Sequence, residues 1–291
     1  MVRKNLLKEL ESLETDDLIA VDEVVVKKLA GEKDEVDRHE FEMIGDNPEE
    51  VDEFLKNWGK FSGISGGLKA IDDLTFGFTP GELIIIGGTP GVGKSAFVFG
   101  LAARIALMNT MVAIISLELT RQQLKGRIAK AHGKNWDTLP IIYQKVQHIT
   151  RRELTKLTQK AVEGGASVMI VDYLQMLNTG TLDERAEISR IVKELKLLAL
   201  EHNIVMIAIS SLNRDIDPDT GLQMRNLSGS GAIEYYADMV LFLEKDEEHV
   251  RLKIAKNRSN PIDFKANTRH MVFDGATFKD VDNAMIIPEF N

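Results

Sequence analysis

The sequence contains no cysteine, which excludes disulfides, thiolate nucleophiles and cysteine-ligated zinc or iron–sulfur sites. Any catalysis must therefore use oxygen and nitrogen groups. No apolar run approaches the roughly 18 residues that span a bilayer, and Met1 to Glu14 is charged throughout, with no signal-peptide core. The expectation is a soluble, cytoplasmic chain with no membrane partner. Glycine is absent before Gly31, no ladder of aromatic residues for stacking bases is present, and no internal repeat or low-complexity tract interrupts the sequence.

Net charge is also scarce where it would be most informative. Of the formal charge of −9, all resides in residues 1–62, which hold 18 acidic and 9 basic side chains. Residues 63–291 carry 27 of each sign and are formally neutral. The overall acidity thus neither supports nor forbids a local basic groove on the main body, because binding follows local potential.

What is present divides at a glycine-rich boundary, Ser62-Gly63 to Gly66-Gly67. Before it, residues 1–62 read as an acidic, helical N-terminal extension with a leucine stripe at Leu6, Leu10 and Leu13. Asn47-Pro48-Glu49-Glu50 has the pattern of a helix start, and Val51, Phe54, Leu55 and Trp58 then share one face. That face fits either packing on its own domain or docking into a neighbouring subunit. Beyond the boundary, short apolar strands alternate with longer helical stretches, the pattern of a parallel sheet covered on both faces. Strands are predicted at 82–87, 111–117, 167–172, 204–210, 237–244 and 250–255. Helices are predicted from Lys94, from Thr120 and Thr150 with capping boxes to Gln123 and Glu153, and near Leu182. The late segments, including 269–274, follow one another without helices and predict an antiparallel extension of the sheet.

The segment Gly88-Thr89-Pro90-Gly91-Val92-Gly93-Lys94-Ser95 matches G-x-x-x-x-G-K-[ST] between an apolar strand and a helical stretch. Phosphates require several backbone N–H groups aimed at them, a helix N-terminus, a lysine near the β/γ oxygens and a hydroxyl on magnesium. From average composition, a chance match arises on the order of once per hundred chains of this length. The following apolar strand leads into Glu118, placed to orient and deprotonate an attacking water. The third, Val168-Met169-Ile170-Val171-Asp172, ends in an aspartate that could share magnesium with Ser95. Taken singly, each is equally a solvated strand-end acid; together with the phosphate loop they point to hydrolysis of a nucleoside triphosphate, with ATP and Mg2+ as the cofactors.

Residues 63–291 resemble the RecA-like motor domain of DnaB-family replicative helicases. The likeness runs in order through Gly63 to Asp73, Glu82 to Phe97, Ser116-Leu117-Glu118, Val171-Asp172-Tyr173-Leu174-Gln175, Ser210-Ser211-Leu212-Asn213-Arg214, Asn226 to Asp238 and Lys256-Asn257-Arg258. Residues 1–62 do not resemble the family's usual helical N-terminal domain. The resemblance implies an α/β RecA-like P-loop fold with a mostly parallel central sheet flanked by helices. It also implies a homo-hexamer in which Arg258, assisted by Lys256, reaches the nucleotide of the next subunit as a trans arginine finger. Arg127 matches a position against the nucleotide base, although it reads equally as a surface arginine. Ser211 stands at the sensor position. Ser228, Gly229, Ser230 and Gly231 fall in the loop facing single-stranded DNA, with Arg214 and Arg225 as nearby charge.

Two residues depart from the family pattern: Ser211 stands where glutamine is usual, and Ser228-Gly229 replaces an Arg-Glu pair. The implied activity is an ATP-driven DNA helicase or translocase in replication, with replication proteins as further candidate partners. An ATP-controlled oligomeric adaptor that regulates a replication machine without processive unwinding is the alternative. A recombinase- or clock-type RecA relative is a third reading, against which the Lys256-Asn257-Arg258 and Asp172-Tyr173-Leu174-Gln175 blocks argue.

Overall fold

The computed structural model describes Glu49, Asp52 and residues 63–146, 149–172, 174, 184–212, 221–246, 248–260 and 266–281. The N-terminal leucine stripe, the Val51–Trp58 face and the side chain of Arg214 lie outside the described residues. None of the helices among the described residues is long and apolar enough to cross a membrane.

Strands β1 (Leu83–Gly88), β2 (Val112–Ser116), β3 (Ile141–Lys145), β4 (Val168–Asp172), β5 (Val205–Ile209) and β6 (Met239–Asp246) run parallel; β7 (His249–Asn257), β8 (Thr268–Phe273) and β9 (Phe278–Asp280) extend the sheet antiparallel. Their order across the nine-stranded sheet is β3-β2-β4-β5-β1-β6-β7-β8-β9. Every residue of β1, β2, β4 and β5 is buried. Such strands read as continuous apolar runs because both faces are covered.

The pleat sends alternate residues to two cores. Ile84 and Ile86 of β1 meet helices α1 (Lys69–Thr75), α2 (Lys94–Leu107) and α3 (Arg121–His132) on one face; Leu83 and Ile85 meet α4 (Arg151–Glu163), α5 (Glu184–Glu201) and α6 (Ser230–Tyr236) on the other. These four side chains are fully buried, and burial of such groups is worth about 1.5–3 kcal/mol each. The capping boxes predicted at Thr120 and Thr150 are present in full, each hydroxyl accepting the N3 N–H while Gln123 or Glu153 accepts the cap N–H.

The sequence did not signal β3, α1 or β9. β3 is an edge strand with half-exposed side chains, so neither a long apolar run nor clean alternation marks it. α1 is only seven residues long, and β9 is three. They are tied together across the chain: Asp280 accepts the N–H groups of Lys69 (2.9 Å) and Ala70 (2.7 Å), a carboxylate on the otherwise unpaired first turn of α1. Arg104 of α2 donates to the Thr277 hydroxyl (3.0 Å) and the Phe278 carbonyl. These bonds fasten the β8–β9 hairpin to α1 and to the last turn of α2.

Candidate nucleotide-binding site

Strand register alone assembles one row of residues across the sheet. Ser116 pairs with Asp172, Val171 with Ala208, Ile209 with Ile86, and Ile86 with Leu241. Asp172 is thus level with Ile86, and the glycine-rich loop begins two residues beyond, at the carboxyl ends of the parallel strands, where ligands of open α/β sheets collect.

A cavity of about 700 Å³ opens there. Gly88, Pro90, Gly91, Gly93, Lys94 and Ser95 line it on the loop side, with Glu118, Arg127, Asp172 and Ser211 from the neighbouring elements. Thr89 and Val92 complete the loop's turn: the Val92 N–H donates to the Thr89 carbonyl at 3.2 Å, and Val92 is buried. Gly93, the residue before α2, has φ 97°, a conformation that side-chain-bearing residues rarely adopt. The loop can therefore turn sharply enough to direct the free N–H groups of α2 into the cavity. Lys94 donates to the carbonyls of Gly88 (2.8 Å) and Thr89 (3.2 Å). Burial pushes its pKa below the usual lysine value, opposed by the charges of Asp172 and Glu118.

Asp172 is 1% exposed, and neither of its carboxylate oxygens has a hydrogen-bond partner. Burial, reinforced by the charge of Glu118, pushes its pKa up to about 6, while Arg127, the nearby Ser95 hydroxyl and Lys94 pull the other way. Two orphaned oxygens on a buried acid, facing a loop hydroxyl, are a donor set short of a cation. Magnesium fits it: that ion is commonly held by one or two carboxylates, waters and the substrate's own phosphates rather than by an all-protein cage. No cluster of three or more His, Cys, Asp or Glu ligands occurs among the described residues. Glu118 is exposed into the cavity, on a turn held to β4 by the Leu117 N–H bond to the Asp172 carbonyl (2.9 Å).

The β8–β9 turn supplies residues that the sequence did not point to. Phe273, 40% exposed, lines the cavity with Gly275 and Ala276, and Lys130 of α3 donates to the Gly275 carbonyl at 2.8 Å. Asp274-Gly275 is a turn signal, but nothing local to it places that turn over a phosphate loop some 180 residues earlier.

Ser211 leads from β5 toward the candidate DNA-facing loop. Its carbonyl accepts the Ser228 N–H at 3.1 Å, the two hydroxyls are 3.4 Å apart, and Leu212 bridges to Leu227. Gly229 has φ 79°, and a Cβ there would lie 2.3 Å from Ile188 Cγ2, so the turn is pressed against α5. Gly231 is exposed and clear of neighbours; Arg225 is exposed, on the short 3-10 turn Met224–Asn226.

Lys256 and Arg258 are not brought to this cavity. Asn257 pairs with Met239, which pairs with Ile84, four residues before Gly88 on β1. At about 3.3 Å per residue the strand end carrying them is ~13 Å back along the sheet, toward its opposite edge. There Lys256 donates to the carbonyls of Glu234 (2.6 Å) and Ala237 (2.5 Å), and Arg258 donates to the Tyr235 carbonyl (2.8 Å) and contacts Asp238 (3.3 Å).

The family described as DnaB-like helicase C terminal domain matches residues 63–136 and 129–275. Among curated relatives, the replicative DNA helicase DnaB of Geobacillus stearothermophilus is 30% identical over 247 residues, covering 70% of this chain and 54% of that protein. The replicative DNA helicase DnaC of Bacillus subtilis (strain 168) is 28% identical over 293 residues, covering 86% and 64%. The chain therefore spans a little over half the length of curated relatives it matches. A solved DnaB-like replicative helicase, described with its interactions with primase, superposes with a TM-score of 0.74 at 22% identity, over 82% of this chain and 69% of that one. The RadB recombinase superposes with a TM-score of 0.58 at 21% identity, over 75% and 100%. Both likenesses establish the RecA-like fold.

Proposed function

The chain belongs to the DnaB-like helicase C-terminal domain family, and from that premise we propose that it is the ATP-hydrolysing motor of a hexameric, cytoplasmic DNA helicase that moves on single-stranded DNA in replication, with residues 63–291 as the motor and 1–62 as an extension. The observation that carries the proposal is the single cavity that joins the phosphate loop, Glu118 and the unpartnered carboxylate of Asp172.

In this reading the α2 N-terminus and the loop N–H groups hold the phosphates, and Lys94 leaves the Gly88 and Thr89 carbonyls for the β/γ oxygens. Ser95 and Asp172 would hold magnesium, which when bound would supply positive charge against the transferring phosphoryl group. Glu118 orients a water and takes its proton. Arg127 lies beside the base. Ser211 reads the γ-phosphate through a water, its hydroxyl being too short for direct reach. Lys256 and Arg258 act on the next subunit's nucleotide, since strand register keeps them from their own. The backbone of Ser228, Gly229, Ser230 and Gly231 meets the DNA backbone, with Arg214 and Arg225 as nearby charge. Proteins of the replication machinery are the expected further partners.

The lack of a cation at Ser228 and Gly229 favours a second reading, an ATP-controlled oligomeric regulator that does not unwind. Steady-state ATP turnover with and without single-stranded DNA separates the two. Strong stimulation together with a six-subunit mass supports the motor; turnover indifferent to DNA rejects it in favour of the regulator.

A further inference from the structure

Helix α6 carries a different functional element at each end. It starts in the candidate DNA-facing turn, with Gly229 as its N-cap, and its last carbonyls receive the two cations assigned above to the neighbouring nucleotide. Lys256 bonds the carbonyls of Glu234 and Ala237, and Arg258 bonds that of Tyr235. C-terminal helix carbonyls have no partner within the helix and attract positive charge. The strand end is held further by Asp238, which is 4% exposed. One of its oxygens accepts the Leu83 N–H (2.8 Å) and Lys196 (2.7 Å), and the other faces Arg258 Nη1 at 3.3 Å. The Arg258 N–H bonds the Asp238 carbonyl at 2.8 Å, and the next residue, Ser259, bonds Glu82.

Arg258 thus has one half-exposed contact with a carboxylate that is otherwise rigidly held. A guanidinium so placed is retained within its own subunit, yet weakly enough to leave.

We propose that Asp238 is a positioning residue that parks Arg258 on its own subunit, so that engagement with a neighbouring nucleotide must compete with Asp238 and the α6 carbonyls. This rests on the trans-finger reading above. Because α6 begins in the DNA-facing turn, displacement of that turn by bound DNA bears directly on the carbonyls that hold both cations. An ion pair of this kind, with a half-exposed arginine 3.3 Å from a buried carboxylate, shifts the free population of Arg258 by up to about 5-fold.

The test uses the full chain. Asp238→Asn removes the charge facing Arg258 while keeping the side chain's shape, and it is expected to raise ATP turnover without DNA by about 2- to 5-fold, with KM for ATP unchanged and a smaller stimulation by single-stranded DNA. If the Lys196 ammonium, left without its carboxylate and with only the Gly81 carbonyl (2.9 Å), prevents folding, Asp238→Asn with Lys196→Met carries the same expectation. The rise must vanish when Arg258→Ala is added. Turnover that stays level or falls, or a rise that persists without Arg258, overturns the parking role while leaving the finger reading standing. Parent-level turnover in Arg258→Ala alone overturns the finger reading, and the parking role falls with it.

Discussion

The clearest energetic consequence of the site lies at Asp172, a buried carboxylate whose burial outweighs the nearby charges of Arg127 and Lys94 and the Ser95 hydroxyl. Its folded-state pKa is raised from 3.8 to about 6. A raised folded pKa contributes stability that is fully present below about 3.8 and is lost as pH rises through about 6. At about 1.36 kcal/mol per unit, the penalty on the nucleotide- and magnesium-free protein is about 3 kcal/mol at pH 8 and about half that at pH 5. Asp172→Asn removes the titration. A buried amide has its own fixed cost of about 1–3 kcal/mol, so the absolute change in stability is a poor measure, but that cost does not vary with pH. The difference in unfolding free energy between variant and parent should therefore move by about 1.5 kcal/mol in the variant's favour from pH 5 to pH 8. Urea unfolding at several pH values, in chelator and without nucleotide, reads this directly. A difference that is flat with pH, or that moves toward the parent, would refute the assignment of Asp172 as a buried acid whose charge is only partly compensated. With magnesium and nucleotide present the difference should shift toward the parent, because the variant loses the carboxylate's share of the binding energy.

Lys94→Ala should remove most nucleotide affinity and essentially all turnover, as read by equilibrium binding of a fluorescent ATP analogue and by phosphate release; undiminished hydrolysis would sink the loop assignment. Glu118→Gln is nearly isosteric and should keep ATP binding while stopping hydrolysis, and Arg258→Ala should lower turnover by about 10³-fold or more with binding nearly intact. A mixture of those two variants should regain part of the parent turnover, since some interfaces then pair an intact Glu118 with an intact Arg258; mixtures that stay inactive after proven subunit exchange reject a composite site. Gly229→Ala places a Cβ against Ile188 at a φ of 79°, and should cost about 1–3 kcal/mol in urea unfolding, with an unchanged midpoint showing that the turn is not held as described.

The parts of this site that could be read from the sequence are those in which chemistry and local structure coincide. Gly88 to Ser95 needs its glycines and its lysine in fixed order, and Asp172 follows four apolar residues because the strand it ends is buried on both faces. The capping boxes at Thr120 and Thr150 are likewise local, and both are present. Strands β1, β2 and β4 to β8 fell within a few residues of where apolar runs placed them. What escaped depends on contacts between distant segments. Phe273 and Gly275 line the cavity on a β8–β9 hairpin that Arg104, Asp280 and Lys130 fasten to α2, α1 and α3. Asp238 is simply the residue before a strand in sequence, and its placement beside Arg258 emerges from a long-range strand pairing.

Topology also explains why the candidate catalytic groups divide into two sets. In a parallel sheet every carboxyl strand end lies on the same edge, so Gly88, Glu118, Asp172 and Ser211 gather there although they come from four different strands. β7 runs antiparallel to β6, so its own carboxyl end, with Lys256 and Arg258, is returned toward the other edge. No rotamer of an arginine recovers ~13 Å along the sheet together with the breadth of β6, which lies between β7 and β1. A single change of strand direction therefore both removes Arg258 from the cavity of its own subunit and presents it outward, half exposed, beside the exposed ring of Tyr235. In the trans-finger reading proposed above, that reversal leaves the arginine available only to a second copy, and the contact with Asp238 is where it would be held while none is engaged.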